Sequence, residues 1–138
     1  MKVCDTAVMV LKSAEGLEVG SEVSGKFVNE FGLPSAIIIN KVDNEHSTFN
    51  DTIIKSKQRL TNGAIAVTFP ASEGVNFNTV VDVLKMKSFT YGDPGSKKIT
   101  ESDIPADLKA KAEEYRTELI EKIAETNEEL MNKYFEEG

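Results

Sequence analysis

The chain of 138 residues has little of what usually announces chemistry: one cysteine (Cys4), one histidine (His46), four prolines, and 16 bases against 23 acids. A lone cysteine excludes an internal disulfide and fits a reducing, cytoplasmic setting. One cysteine and one histidine supply no zinc-ligand spacing, and no metal site is expected. No apolar run approaches the roughly 20 residues that span a bilayer, and no signal peptide opens the sequence, so no membrane partner is expected. The net charge of −7 and a pI near 4.8 argue against a broad basic face, so DNA is not an expected partner. The 40% of apolar residues still suffices for a core, and the length bounds the chain to one domain or one domain plus an appendage.

The acidity is concentrated. Residues 101–138 hold 12 acids and 5 bases, which accounts for the whole net charge, while residues 1–100 balance. That end suits docking to a basic protein surface.

Two continuous apolar runs, residues 6–11 and 36–39, have strand length and suit parallel strands buried on both faces. Between them Val23, Phe27, Val28 and Phe31 recur at helical spacing, and Gly32 with Pro34 ends that helix. Strand, helix and strand in this order build a parallel sheet. A second helix is expected over about residues 49–60, with Ile53, Ile54 and Leu60 inward, before a turn at Asn62-Gly63. Beyond it come a strand over residues 64–69, a loop of small and polar residues over 70–78, and a β-rich stretch over 80–91. Tyr91-Gly92-Asp93-Pro94-Gly95 then signals a turn, and residues 98–100 an antiparallel return. Leu108, Ala112, Tyr115, Leu119 and Ile123 mark an amphipathic helix over 106–124. Thr126 and Glu129 are spaced as a capping box for a last helix. The fold class read from this pattern is α/β, a partial parallel sheet with helices over residues 1–61, followed by an α+β subdomain over 62–138.

The informative tetrapeptide is Asn40-Lys41-Val42-Asp43, an N-K-x-D directly after the second apolar run. Guanine presents two adjacent donors, N1–H and the exocyclic amine, and a carboxylate such as Asp43 can accept from both. Lys41 can lay its methylene stem over the purine, and Asn40 can hold the loop and approach the base. The carboxyl end of a strand is where open α/β sheets bind ligands. A polar turn between strand and helix fits the same four residues.

No phosphate cradle accompanies the motif. Residues 20–27 match G-x-x-x-x-G-K, but Phe27 cannot supply the hydroxyl that ligates Mg²⁺, and the stretch lies on an expected helix. No D-x-x-G occurs. Among the rest, His46 reads as a solvated loop residue, Cys4 as a small apolar group starting a buried strand, and Glu113, Glu114, Glu118 and Glu121 as a solvated helix face. Glu101 and Asp103 precede the long helix and suit its N-terminal dipole. Lys85, Lys87, Phe89 and Tyr91 hint at a basic and aromatic strip, which alternation in a half-buried strand also explains.

Several stretches together resemble a known family. Asp5-Thr-Ala-Val-Met-Val-Leu, Glu15-Gly-Leu-Glu-Val, Asn29-Glu-Phe-Gly-Leu-Pro and Asn40-Lys-Val-Asp look like the latter half of a translational GTPase G domain, of the P-loop-NTPase type. Phe77-Asn-Thr-Val-Val-Asp-Val-Leu-Lys-Met-Lys, Ile104-Pro-Ala-Asp-Leu and Ile123-Ala-Glu-Thr-Asn-Glu-Glu-Leu-Met-Asn-Lys-Tyr resemble the G′ insert of elongation factor G and its paralogues. The resemblance implies that Asn40, Lys41 and Asp43 are the guanine-specificity residues, with GTP or GDP as ligand. It implies further that the phosphate loop and the Mg²⁺-side motifs precede Met1 in an internal fragment. The parent would be a ribosome-associated GTPase of translocation or recycling, its insert meeting the ribosomal stalk protein. Lys12 stands where an Asp is usual, Gly20 where Gln is common, and Val42 where Met is more usual, which makes a divergent paralogue plausible.

Two hypotheses follow from these residues. In the first, the chain contributes base recognition and a docking insert to such a GTPase, has no catalytic residue of its own, does not hydrolyse GTP and binds guanine nucleotide weakly. In the second, it is a self-standing, non-enzymatic acidic interaction module. The open side of an incomplete parallel sheet also leads one to expect self-association.

Overall fold

Runs rich in Val and Ile, which favour extended backbone, form the first two strands, β1 (Ala7–Lys12) and β2 (Ser35–Asn40). The computed structural model describes residues 4–61, 63–92, 96 and 98–137. The expected turn residues Asn62 and Asp93-Pro94-Gly95 lie outside them. The two strands pair in parallel, Ala7 opposite Ser35 and Lys12 opposite Asn40, joined through helix α1 (Val19–Glu30). Helix α2 (Phe49–Arg59) follows β2. The α/β class with a parallel sheet is therefore as the sequence implies.

Burial within this sheet departs from expectation. Ala7, Met9 and Leu11 are buried with Val28 and Leu60, and Leu17, Leu33 and Ile37 pack against them. Val8 and Val10 on the other face are 58% and 59% exposed. Among the described residues the core covers one face of the sheet, so the strand alternates instead of being buried throughout. Cys4 is exposed rather than packed at the strand's start.

The helices turn differently from the apolar pattern. In α1 the buried residues are Gly25 and Val28, while Val23, Phe27 and Phe31 are exposed. Gly25 suits that orientation: a Cβ there would lie 2.7 Å from Leu60 Cδ2 and would force the buried Leu60 side chain to shift. In α2 the buried residues are Phe49, Thr52 and Ser56, Ile54 is exposed and Leu60 is buried beyond the helix end. Thr52 and Ser56 tolerate burial because their hydroxyls donate to the carbonyls of Ser13 (3.2 Å) and Thr52 (2.7 Å).

The chain divides into two compact units, Met1–Ala64 with Ser72–Phe77, and Ile65–Ala71 with Asn78–Gly138. Segment Ser72–Phe77, beyond the expected boundary after residue 61, thus belongs to the first unit. The second unit is an antiparallel meander of β3 (Thr68–Pro70), β4 (Thr79–Asp82), β5 (Lys87–Tyr91) and β6 (Ile99–Ser102), with helices α3 (Ala106–Ala124) and α4 (Glu128–Glu137). The strand expected over 64–69 is shorter, and Pro70 ends it at the sheet's edge, where its missing N–H costs no ladder bond. Phe69, Val81, Val83, Ala112 and Leu119 are buried, whereas Ile123 is 45% exposed. Helix α4 is capped by Asn127, not Thr126: Asn127 Oδ1 accepts from the amides of Glu129 (2.8 Å) and Leu130 (3.3 Å). The Thr126 hydroxyl donates instead to the Ile123 carbonyl.

The suspected basic strip is engaged within the unit. Lys87 Nζ lies 2.7 Å from Asp103, and Lys85 sits 5.2 Å above the Phe89 ring. Arg116 donates to the carbonyls of Val83 (3.1 Å) and Leu84 (2.9 Å). Arg116→Met keeps most of the stem but removes both bonds, and a loss of about 1–3 kcal/mol is expected in urea denaturation. A change below about 0.5 kcal/mol would show those carbonyls to be satisfied by water.

Candidate functional site

The carboxyl ends of the two parallel strands lie together, and the chain leaving β2 makes the turn that carries the N-K-x-D residues. Ser13, just after β1, donates its amide to the Asn40 carbonyl at 2.8 Å. The backbone then turns sharply, with Lys41 at φ 58. A non-glycine residue there costs on the order of 1–3 kcal/mol and persists only where its surroundings enforce it. Three contacts do so. Asn40 Oδ1 accepts the Lys41 amide at 2.8 Å, the Lys41 carbonyl accepts the Asn44 amide at 3.2 Å, and Val42 is buried.

Val42 thus anchors a turn whose other motif residues, Asn40, Lys41 and Asp43, are exposed. Among the described residues, the Lys41 ammonium and the Asp43 carboxylate make no ion pair and remain open to a ligand. Because Asn40 Oδ1 is committed to Lys41, its amide nitrogen is what remains to donate outward. The turn therefore displays an acceptor pair, a cation on an apolar stem and one amide donor. Such a set fits the edge and face of a purine that carries adjacent N–H donors.

The loop continues through local bonds. Asn44 Oδ1 accepts the His46 amide (2.9 Å), and Thr48 donates its hydroxyl to the Ser13 carbonyl (3.0 Å). Thr48 makes no side-chain cap on α2. Glu73 takes the role, its Oε2 accepting the Phe49 amide at 2.7 Å and the Ser47 hydroxyl at 2.6 Å. Sequence reasoning singles out neither Glu73, nor its partner Ser47, nor Ser13, which bonds Ser47 in turn. The one available signal was Gly74 beside Glu73: the Gly74 φ of +79 is a backbone conformation that favours glycine.

The other sequence candidates are elsewhere or engaged. His46 is exposed, with Nε2 3.3 Å from Glu45. Gly20 lies in the first turn of helix α1, and Gly25 and Lys26 lie in its interior, where amides are spent on helical bonds and cannot cradle phosphate. Among the described residues no three His, Cys, Asp or Glu side chains gather as a metal site. The exposed groups of the turn are of the chemical kind that a guanine base could meet, and among the described residues no cluster of carboxylates suits Mg²⁺. Among the described residues no helix is long and apolar enough to cross a membrane.

Comparison with known proteins bears on the fold and the family. In structure the chain is similar to a protein from Thermus thermophilus known from its crystal structure, with a TM-score of 0.85 and 24% identity, over 98% of this chain and 20% of that one. The chain therefore spans about a fifth of that protein's length. The family described as the elongation factor Tu GTP binding domain matches residues 1–137. A match running through both units and across the N-K-x-D turn places the chain in that family, the GTP-binding domains of translational GTPases.

Proposed function

We propose that the chain reads the guanine base for a translational GTPase of the elongation factor G type. Asp43 accepts from N1–H and the exocyclic amine, Lys41 lies along the purine face, and Asn40 donates from its amide nitrogen. The observation that carries this reading is the strained, anchored turn that leaves Asp43 and Lys41 exposed at the carboxyl end of β2. The phosphates and Mg²⁺ of GTP would be held by residues outside this chain, since no G-x-x-x-x-G-K-[ST] or D-x-x-G occurs within it. The chain alone is therefore not expected to hydrolyse GTP. The second unit, with its acidic helices, serves as the insert through which the parent factor meets a protein of the ribosome, the stalk protein being the partner that the resemblance suggests.

Base contacts alone supply on the order of 4 kcal/mol, which corresponds to millimolar affinity. In an NMR titration of the full chain, GDP is expected to shift the amides of residues 40–44, and ADP at the same concentrations to leave them unmoved. Equal responses to the two nucleotides, or shifts confined to other residues, would refute the reading. Micromolar GDP affinity by calorimetry would refute the view that phosphate contacts are missing.

A further inference from the structure

We infer that Glu73 is a positioning residue for the base-reading turn, an inference that rests on the guanine reading above. Segment Ser72–Phe77 lies in sequence between β3 and β4 but belongs to the first unit. It meets the turn at two points. The Gly74 amide donates to the Val42 carbonyl at 2.8 Å, holding the residue that anchors the motif. Glu73 accepts from both Ser47 and Phe49, fixing where the turn ends and α2 begins.

The hydrogen bonds have a forced direction. A carboxylate only accepts, so the Ser47 hydroxyl gives its proton to Glu73. The 2.6 Å contact between the hydroxyls of Ser13 and Ser47 must then have Ser13 as donor. Ser13 in turn donates its amide to the Asn40 carbonyl. One carboxylate thus orients the hydroxyls of Ser47 and Ser13, Ser13 is tied through its own amide to the first residue of the motif, and Gly74 holds the third. The left-handed Lys41 between them is the conformation that these bonds enforce. Glu73 touches no base atom in this reading; it sets the angle at which Asp43 and Lys41 are offered.

A plain helix cap would make a different prediction, because it would affect Phe49 and leave the motif alone. The test compares the full chain with Glu73→Ala and Glu73→Gln by amide hydrogen exchange and by NMR titration with GDP and ADP. Glu73→Ala is expected to lower protection of the Phe49 amide about tenfold, to shift the amides of residues 41–44 without nucleotide, and to weaken the GDP response about tenfold. Glu73→Gln retains an oxygen acceptor and is expected to restore most of each effect. Should Glu73→Ala deprotect Phe49 while the turn amides and GDP response stay unchanged, Glu73 is a cap only and the inference fails. It fails equally if Phe49 is unaffected. If the unmodified chain does not distinguish GDP from ADP, the guanine reading falls, and the nucleotide-free shifts at residues 41–44 alone decide whether Glu73 positions the turn. Should Glu73→Ala fail to fold, Glu73→Gln must show the same effects at smaller size, and its absence of any effect at the turn would count against the inference.

Discussion

Truncating Phe69 to alanine is expected to destabilise the second unit by about 3–5 kcal/mol, the range for removing a fully buried aromatic side chain. Phe69 is 1% exposed and meets Tyr115 of α3 edge-on, with ring centroids 5.4 Å apart. Lys111 lies over the same ring at 5.1 Å. The packing is tight enough for burial, and for the charges of Glu114 and Glu118, to push the Tyr115 phenol above its ordinary pKa. Removing the ring strips α3 of an apolar support on the meander and leaves a cavity that the short edge strand β3 cannot close. Urea denaturation followed through amide signals of β4 and β5 would measure the loss. Leu84→Ala is the control: Leu84, in the same unit, is 58% exposed and should change stability by less than about 0.5 kcal/mol. A loss below about 1 kcal/mol at Phe69 would mean that the meander and α3 are held together by other contacts.

Asp43→Asn is expected to abolish the preference for GDP over ADP, bringing the two within about twofold of each other. Asparagine offers one acceptor and one donor edge, so one guanine donor would face an N–H instead of a carboxylate oxygen, and an unmatched donor pair costs about 1–3 kcal/mol. The fold should not change, because Asp43 is exposed and makes no ion pair among the described residues. Paired NMR titrations check this directly. Retention of the GDP preference by the variant would show that Asp43 does not read the base.

The parallel strands and the long helix were legible in the sequence because their signals are local. Runs such as Ala36-Ile-Ile-Ile and the recurrence of Leu108, Ala112, Tyr115 and Leu119 need no knowledge of partners. Which face each helix buries was not legible, since that depends on shape and hydrogen bonding. Gly25 is buried where α1 comes so near Leu60 that a larger residue would force the Leu60 side chain to shift. Thr52 and Ser56 are buried because carbonyls are there to receive their hydroxyls. Apolar periodicity ranks Val23, Phe27 and Ile54 above all three, and burial reverses that order.

The same division runs through the candidate site. Asn40, Lys41 and Asp43 carry a side-chain pattern that can be read from four consecutive letters. Their support comes from Ser13, Ser47 and Glu73, distant in sequence and joined only by the fold; the bonds from Ser47 and Phe49 to Glu73 span 26 and 24 residues. Asn127 in place of Thr126 as the cap of α4 shows a smaller version of this. Two adjacent residues had capping chemistry, and backbone geometry chose between them.

The central claim is that the turn recognises guanine through two adjacent donors. It is tested most directly by titrating the unmodified chain with GDP, inosine diphosphate and ADP, and following the Asp43 amide by NMR. Inosine keeps N1–H but lacks the exocyclic amine, so it offers Asp43 one donor of the two. The account predicts the largest shift and tightest binding for GDP, a weaker response by roughly tenfold for inosine diphosphate, and none for ADP over the same range. Equal responses from all three nucleotides would contradict it.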